Sequence, residues 1–355
     1  MKIKSIYAYL HKLPVTKPYT IAYKTITDTR IVFLEITLEN GLTGIGSANP
    51  FADVVGETPE QTLANLQSGY LDEFIGKDIR QFNSLIYPAS VHFPKQPGTL
   101  AAIDIALHDL FCKYLDIPVV DFYGRQTDSL PTSVTIGIKD IKEMLEDADG
   151  YYQLGFRILK IKTGIDADSD IERVIKLSER FNNKMLIRVD ANQGYTINDL
   201  RKFIEHTGHL GLELIEQPMK VGQEHFLSQL IEKERKLLVA DESLLNAGSA
   251  WKLSTPPQPY GVYNIKLMKS GGIAGAREIA IIAKTAGIDL FWGCNDESIV
   301  SITAALHAAY SCSNTKYLDL DGSFDLAKDL VDGGFTLKDG FLYTNGLPGL
   351  GFKKL

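Results

Sequence analysis

The apolar stretch RILKIKTG (157–164) carries two lysines at alternate positions, Lys160 and Lys162. Alternation sends both to the same face of a strand. On a solvent face they would be ordinary charges, whereas inside a barrel they are costly and point to function. Three carboxylates follow at similar intervals: Asp190 closes LIRVD, Glu216 closes LELIE and Asp241 follows LLVA. A further lysine, Lys266, lies in YNIKLMKSGG. Three carboxylates held together without a cation repel one another and raise each other's pKa. A hard divalent ion relieves that, and Mg²⁺ suits all-oxygen ligation, so one Mg²⁺ per subunit is the expected cofactor. Helix N-capping explains any one of these acids alone, but not three in register.

Lysines flank the acidic trio on both sides. A nearby metal and a second cation lower a lysine's pKa, which suits a general base. A metal that binds a carboxylate and stabilises an enediolate makes the adjacent α-proton removable. With one base on each face, a proton leaves from one side and returns on the other, inverting a stereocentre. Lys162 and Lys266 are the expected pair. For Lys160 two readings stand open, an ion pair filling the barrel or a direct part in proton transfer. Lys269 reads as a solvated charge on the following loop. YLDLDGS puts Asp319 and Asp321 on one face, and no Lys or Arg follows closely to neutralise them. Such a pair suits an α-ammonium group; a second metal site and a helix-capping pair are the alternatives.

The elements that must position these groups recur with a period. Eight short apolar strands are legible, TSVTIGI, ILKIK, MLIRVD, LELIEQ, LLVADES, YNIKLM, DLFWGC and KYLDLD. Marking Thr135, Lys162, Asp190, Glu216, Asp241, Lys266, Cys294 and Asp321 gives gaps of 27, 28, 26, 25, 25, 28 and 27 residues. Helix-length segments between strands at that period predict an α/β barrel rather than an open sheet. The marked residues then sit at the C-terminal strand ends, where barrel active sites lie, and strands two and six face each other across the mouth. Thr135 and Cys294 are candidate substrate-binding residues on that count. Before the barrel, TRIVFLEITLENGLTGIGSA predicts a hairpin around Asn40–Gly41, followed by two helical segments. After it, GGFTLKDGFLYTNG reads as a hairpin, a candidate to rejoin the N-terminal sheet.

With 355 residues, the chain exceeds what one core usually serves. A formal charge of −7 argues against nucleic acid or an anionic membrane as partner. No apolar run approaches a membrane span, and MKIKSIYAYLHKL lacks a signal-peptide core. Cys112, Cys294 and Cys312 are too scattered for a disulfide or zinc pattern, which predicts a cytoplasmic setting.

Taken together, K-x-K, Asp190, Glu216, Asp241 and NIKLMKSGG resemble the enolase superfamily, in its muconate-lactonizing-enzyme subgroup. The resemblance spans essentially the whole chain. It implies a modified TIM barrel of the (β/α)7β type (126–325) with an α+β capping domain (1–125) completed by residues 326–355. Asp319-x-Asp321 is similar to the dipeptide epimerases of that subgroup, where the pair grips the ammonium of the N-terminal residue. By that likeness the substrate is a small dipeptide, Ala-Glu or a related Ala-Xaa, in a homo-oligomeric enzyme. Its C-terminal carboxylate would bind Mg²⁺, Lys162 and Lys266 would be the acid/base pair, and Lys160 an electrostatic helper. Other reactions of the subgroup are the alternative: cycloisomerase, o-succinylbenzoate synthase or N-succinylamino acid racemase. Lys24, in the capping loop TKPYTIAYKT, falls where Ala-Glu epimerases carry an arginine for the glutamate side chain. Asn295 and Asp296 stand where the pattern has apolar residues, and Asp296 is the candidate for favouring a basic or polar first residue. KSGGIAGARE resembles a phosphate loop only superficially.

Overall fold

Around a ring of parallel strands, the chain alternates strand and helix from residue 134 to residue 319, as shown by a computed structural model. It describes the whole chain except residues 22, 23 and 183 and the side chains of residues 17–27.

The capping region begins with β1 (Ile3–Ile21), β2 (Lys24–Leu38) and β3 (Thr43–Ala48), paired antiparallel in that order. Asn40–Gly41 forms the β2–β3 turn, with Gly41 at φ 86°. The helix Pro97–Leu115 lies on this sheet, buried along most of its length. Glycine permits the close approach: a Cβ on Gly46 would meet Ala102 O at 2.0 Å.

A short strand β4 (Ser129–Pro131) leads into the barrel. Its staves are β5 (Val134–Ile136), β6 (Ile158–Lys162), β7 (Leu186–Asp190), β8 (Leu212–Glu216), β9 (Leu238–Ala240), β10 (Val262–Ile265), β11 (Asp289–Gly293) and β12 (Thr315–Asp319). They pair in sequence order, parallel throughout, and each overlaps a strand expected from the period, with β10 and β12 starting one residue earlier. The ring nearly closes where Ser133 N–H donates to Leu318 O (3.1 Å). The intervening helices form for local reasons. In Ala167–Phe181, Ile171, Val174, Leu177 and Phe181 recur at helical spacing and are buried, and Asp166 caps the first turn by accepting from Ser169 N (2.8 Å).

The superficial phosphate loop is filled by the protein itself. Asp104, on the capping helix, accepts from Ile273 N (2.6 Å) and Ala274 N (3.2 Å) at the start of the helix Ile273–Thr285. This is a buried carboxylate in the place an anion would take.

The C-terminal segment forms β13 (Val331–Gly333), β14 (Phe335–Lys338), β15 (Phe341–Thr344) and β16 (Phe352–Lys354). The expected hairpin is β14–β15, but it pairs with β4 rather than with the β1–β3 sheet. Contact with the capping helices comes later, where Leu350 N donates to Asp109 Oδ1 (2.9 Å) and Val119 N to Gly349 O (2.9 Å).

Candidate active site

Inward-facing positions stack in layers up the barrel. Leu214, Val239, Val262 and Phe291 form a buried apolar floor, with Tyr317 packed against it. Two residues further along, the chemistry turns charged on three of these strands, at Glu216, Asp241 and Asp319, while β10 presents Asn264 and β11 Gly293. Register then assembles the row: Lys162 is paired with Asp190 and Asp190 with Glu216. Asp241 follows β9 and Lys266 follows β10, each one residue past its strand.

Lys160 is 3% exposed, and its Nζ lies 2.7 Å from Glu216 Oε2, 2.8 Å from Asp319 Oδ2 and 3.3 Å from Asp190 Oδ2. Burial works against its charge, but Asp319, Glu216 and Asp190 outweigh it and hold the ammonium well above the usual lysine range. Asp319 is therefore neutralised by a lysine, though none follows it closely in the chain; the partner comes from strand two. Asp319 also accepts from Ser133 Oγ (2.5 Å). Arg188 braces this layer by donating to Leu318 O (2.6 Å) and Ser133 Oγ (3.1 Å).

Lys162 Nζ donates to Asp190 Oδ2 (2.7 Å) and Asn192 Oδ1 (3.1 Å), and Lys266 Nζ to Asp241 Oδ2 (3.0 Å). Burial would raise the Asp190 carboxyl, yet Lys162 and Lys160 bring it below its ordinary value. Burial and the charge of Asp190 push Glu216 up to about 7.

Lys269 corrects the expectation of a solvated charge. It is 7% exposed and donates to Asp241 O (2.7 Å) and Asn264 O (3.2 Å), besides pairing with the Asp241 carboxylate. The reason is local: after Lys266 the chain turns into the short helix Leu267–Ser270, which carries Lys269 back toward Asp241.

Asp321 lies past the end of β12 and accepts from the Thr135 amide (2.8 Å). Its other oxygen has a long contact from Cys294 Sγ (4.0 Å). Burial and the charges of Asp319 and Asp325 push its carboxyl up to about 8. Asp296 sits on the loop after β11, close enough to Asp325 that burial and its charge push the Asp325 carboxyl up to about 6. The Lys24 side chain lies outside the described residues.

Several participants escaped the sequence reading. Asn264 donates to Glu216 Oε1 (2.7 Å) and Gln217 Oε1 accepts from Asp241 N (2.9 Å), so neighbouring amides hold the Glu216 carboxylate and the Asp241 backbone. Glu242, beside Asp241, is pushed up to about 7 by burial and by Asp241 and Asp190. Arg188 was legible, since period two places it on the face of Asp190.

The donor set fits a hard divalent cation. Asp190, Glu216 and Asp241 are 1%, 1% and 4% exposed, and Glu216 Oε2 makes no hydrogen bond although Lys160 stands near it. Among the described residues no three such side chains are drawn into a ready-made cage, because each carboxylate is turned toward an ammonium group. Reorienting these carboxylates would offer all-oxygen ligation of the kind Mg²⁺ takes.

Comparison with known proteins agrees with this arrangement. Residues 5–124 match the mandelate racemase / muconate lactonizing enzyme N-terminal domain, and residues 143–353 the enolase C-terminal domain-like family. The L-Lys-D/L-Arg epimerase of Desulforapulum autotrophicum is 49% identical over 355 residues, covering 100% of both chains. The L-Ala-D/L-Glu epimerase of Bacillus subtilis is 30% identical, covering 99% of this chain and 96% of its own. A Methylococcus capsulatus dipeptide epimerase, solved with Mg and L-Arg-D-Lys, superposes with a TM-score of 0.97 at 46% identity, covering 99% of each chain. The chain belongs to the enolase superfamily, in its mandelate racemase / muconate lactonizing enzyme group. It is an isomerase of the epimerase and racemase kind.

Proposed function

We propose that the protein is a Mg²⁺-dependent dipeptide epimerase acting on dipeptides with cationic side chains and inverting the α-carbon of the C-terminal residue. One observation carries the reaction: Lys162 and Lys266 stand on strands two and six, across the mouth, each bonded to a different member of the carboxylate trio. Asp190, Glu216 and Asp241 would hold the metal. Mg²⁺, when bound, supplies positive charge beside the substrate carboxylate and so acidifies the neighbouring Cα–H. Lys162 and Lys266 take the proton from one face and return one on the other. Lys160 contributes charge rather than a mobile proton, since its ammonium is surrounded by three carboxylates. Asp321 meets the substrate α-ammonium beside Thr135 and Cys294, while Asp319 acts through Lys160.

The preference for cationic side chains rests on a run of acids, Asp296 near Asp325 and Asp325 near Asp321. The 49% relative is likewise named an L-Lys-D/L-Arg epimerase, and the 46% structure was solved with L-Arg-D-Lys, in contrast to Ala-Glu. The subgroup's cycloisomerase, dehydratase and N-succinyl substrates carry no α-ammonium for Asp321 to bind. In D2O with MgCl2, ¹H NMR should show the C-terminal α-proton of L-Arg-L-Lys exchanging and the L,D isomer accumulating. Absence of exchange with any member of a dipeptide panel overturns the reaction. A higher kcat/KM for L-Ala-L-Glu overturns the cationic preference.

A further inference from the structure

Asn49 follows β3 directly and reaches three segments at once. Its side-chain Nδ2 donates to Thr29 Oγ1 on β2 (2.7 Å) and to Asp296 O on the loop after β11 (2.7 Å). Its backbone carbonyl accepts from Asn295 Nδ2 (3.1 Å). Its backbone N–H points at Met268 Sδ (3.3 Å), in the short helix that begins after Lys266. Thr29, 6% exposed, also approaches Asp296 O (3.4 Å). Neither an apolar residue nor an acid can reproduce this set, because one NH2 group must donate to a hydroxyl and a carbonyl together. The arrangement also accounts for the polar Asn295 where an apolar residue was expected: its amide completes the contact from the barrel side.

We propose that Asn49 is a positioning residue, docking the capping region onto the short helix that follows Lys266 and onto the loop after β11, and thereby fixing where Asp296 stands. This rests on the cationic-dipeptide reading only for its kinetic arm. Fixing these loops before substrate arrives lowers the ordering cost of binding, so Asn49 acts on KM more than on kcat. Asn49→Ala removes both side-chain bonds and leaves both backbone contacts.

The test uses the full-length enzyme with Mg²⁺ and L-Arg-L-Lys, alongside hydrogen–deuterium exchange of amides 294–298. Asn49→Ala should raise KM about tenfold with kcat within about twofold, the scale of one or two lost hydrogen bonds. The 294–298 amides should exchange faster without substrate. Asn49→Asp, of the same size but lacking the donors, should fail to restore KM. Thr29→Val and Asn295→Ala, each breaking one arm, should give smaller changes of the same kind and serve if Asn49→Ala does not fold. Unchanged exchange at 294–298, or kcat falling in step with kcat/KM, overturns the proposal. If the wild type turns over no cationic dipeptide, the substrate reading fails and the exchange arm still decides the role of Asn49.

Discussion

Replacing Lys160 by methionine keeps the volume and removes the charge at the centre of the site. Three carboxylates are left, 1% (Asp190), 1% (Glu216) and 4% (Asp319) exposed. Asp190 keeps Lys162, Glu216 keeps Asn264, and Asp319 keeps the Ser133 hydroxyl and the more distant charge of Arg188, with no ammonium bonded to it. Asp319 therefore bears most of the loss. Breaking one side of a buried ion pair costs about 3–5 kcal/mol. Protonation limits that cost, because a stranded carboxyl can always take a proton at about 1.36 kcal/mol per pH unit above its unfolded value. For an aspartate near pKa 3.9 the ceiling is about 5.6 kcal/mol at pH 8 and about 1.5 kcal/mol at pH 5. In the wild type Lys160 holds the Asp319 carboxyl below its ordinary value, although burial opposes it. In the variant its pKa rises above the unfolded value, so that contribution to stability is present at low pH and lost as pH rises.

Urea unfolding in EDTA should therefore find Lys160→Met about 3–5 kcal/mol less stable at pH 8 and no more than about 1.5 kcal/mol less stable at pH 5. Calorimetric titration should at the same time find Mg²⁺ bound more tightly by the variant, because one positive charge has left the carboxylate trio. Added Mg²⁺ should then recover more stability in the variant than in the wild type. A stability difference of equal size at both pH values would refute the reasoning, as would weaker Mg²⁺ binding.

Asp325, pushed up to about 6 by burial and Asp296, changes charge in the working range. It is ionised above that pH and neutral below, so from pH 5 to pH 7 KM for L-Arg-L-Lys should fall about tenfold more than KM for L-Ala-L-Ala, which shares only the α-ammonium. Asp325→Asn should remove that slope; a slope that survives sinks the assignment. His307 is fully buried, accepts from Val120 N through Nδ1 (3.1 Å), and is held down at about 3 by burial and by Arg125. Its depressed pKa contributes stability above about pH 6.5 that is lost as pH falls toward 3, about 1.4 kcal/mol per unit. Relative to wild type, His307→Gln should lose about 2–3 kcal/mol less between pH 6.5 and 4.5 in urea unfolding, and identical pH profiles would refute this.

What the sequence made legible, and what it hid, divides by the range of the interactions involved. The strands and their inward faces follow from period two, and the barrel from the recurrence of about 27 residues, both readable along one segment or its immediate successor. That is why Lys162, Asp190, Glu216 and Asp241 could be put at one height before any coordinates. Partners across the barrel carry no such periodicity. Lys160 meets Asp319 across 159 residues of chain, and the pairing exists because the ring brings strand eight round beside strand one. The same closure places the C-terminal hairpin on β4, a strand of three residues too short to announce itself. Lys269 is the instructive intermediate case: three residues after Lys266, it would share a face with it on a helix and not on an extended loop. The Gly271–Gly272 pair that ends that turn, both at positive φ, was visible in KSGG, and with it the stop of a short helix. A loop lysine became half of the Asp241 clamp through one turn of helix, which is the level at which a reading by strands alone loses the site.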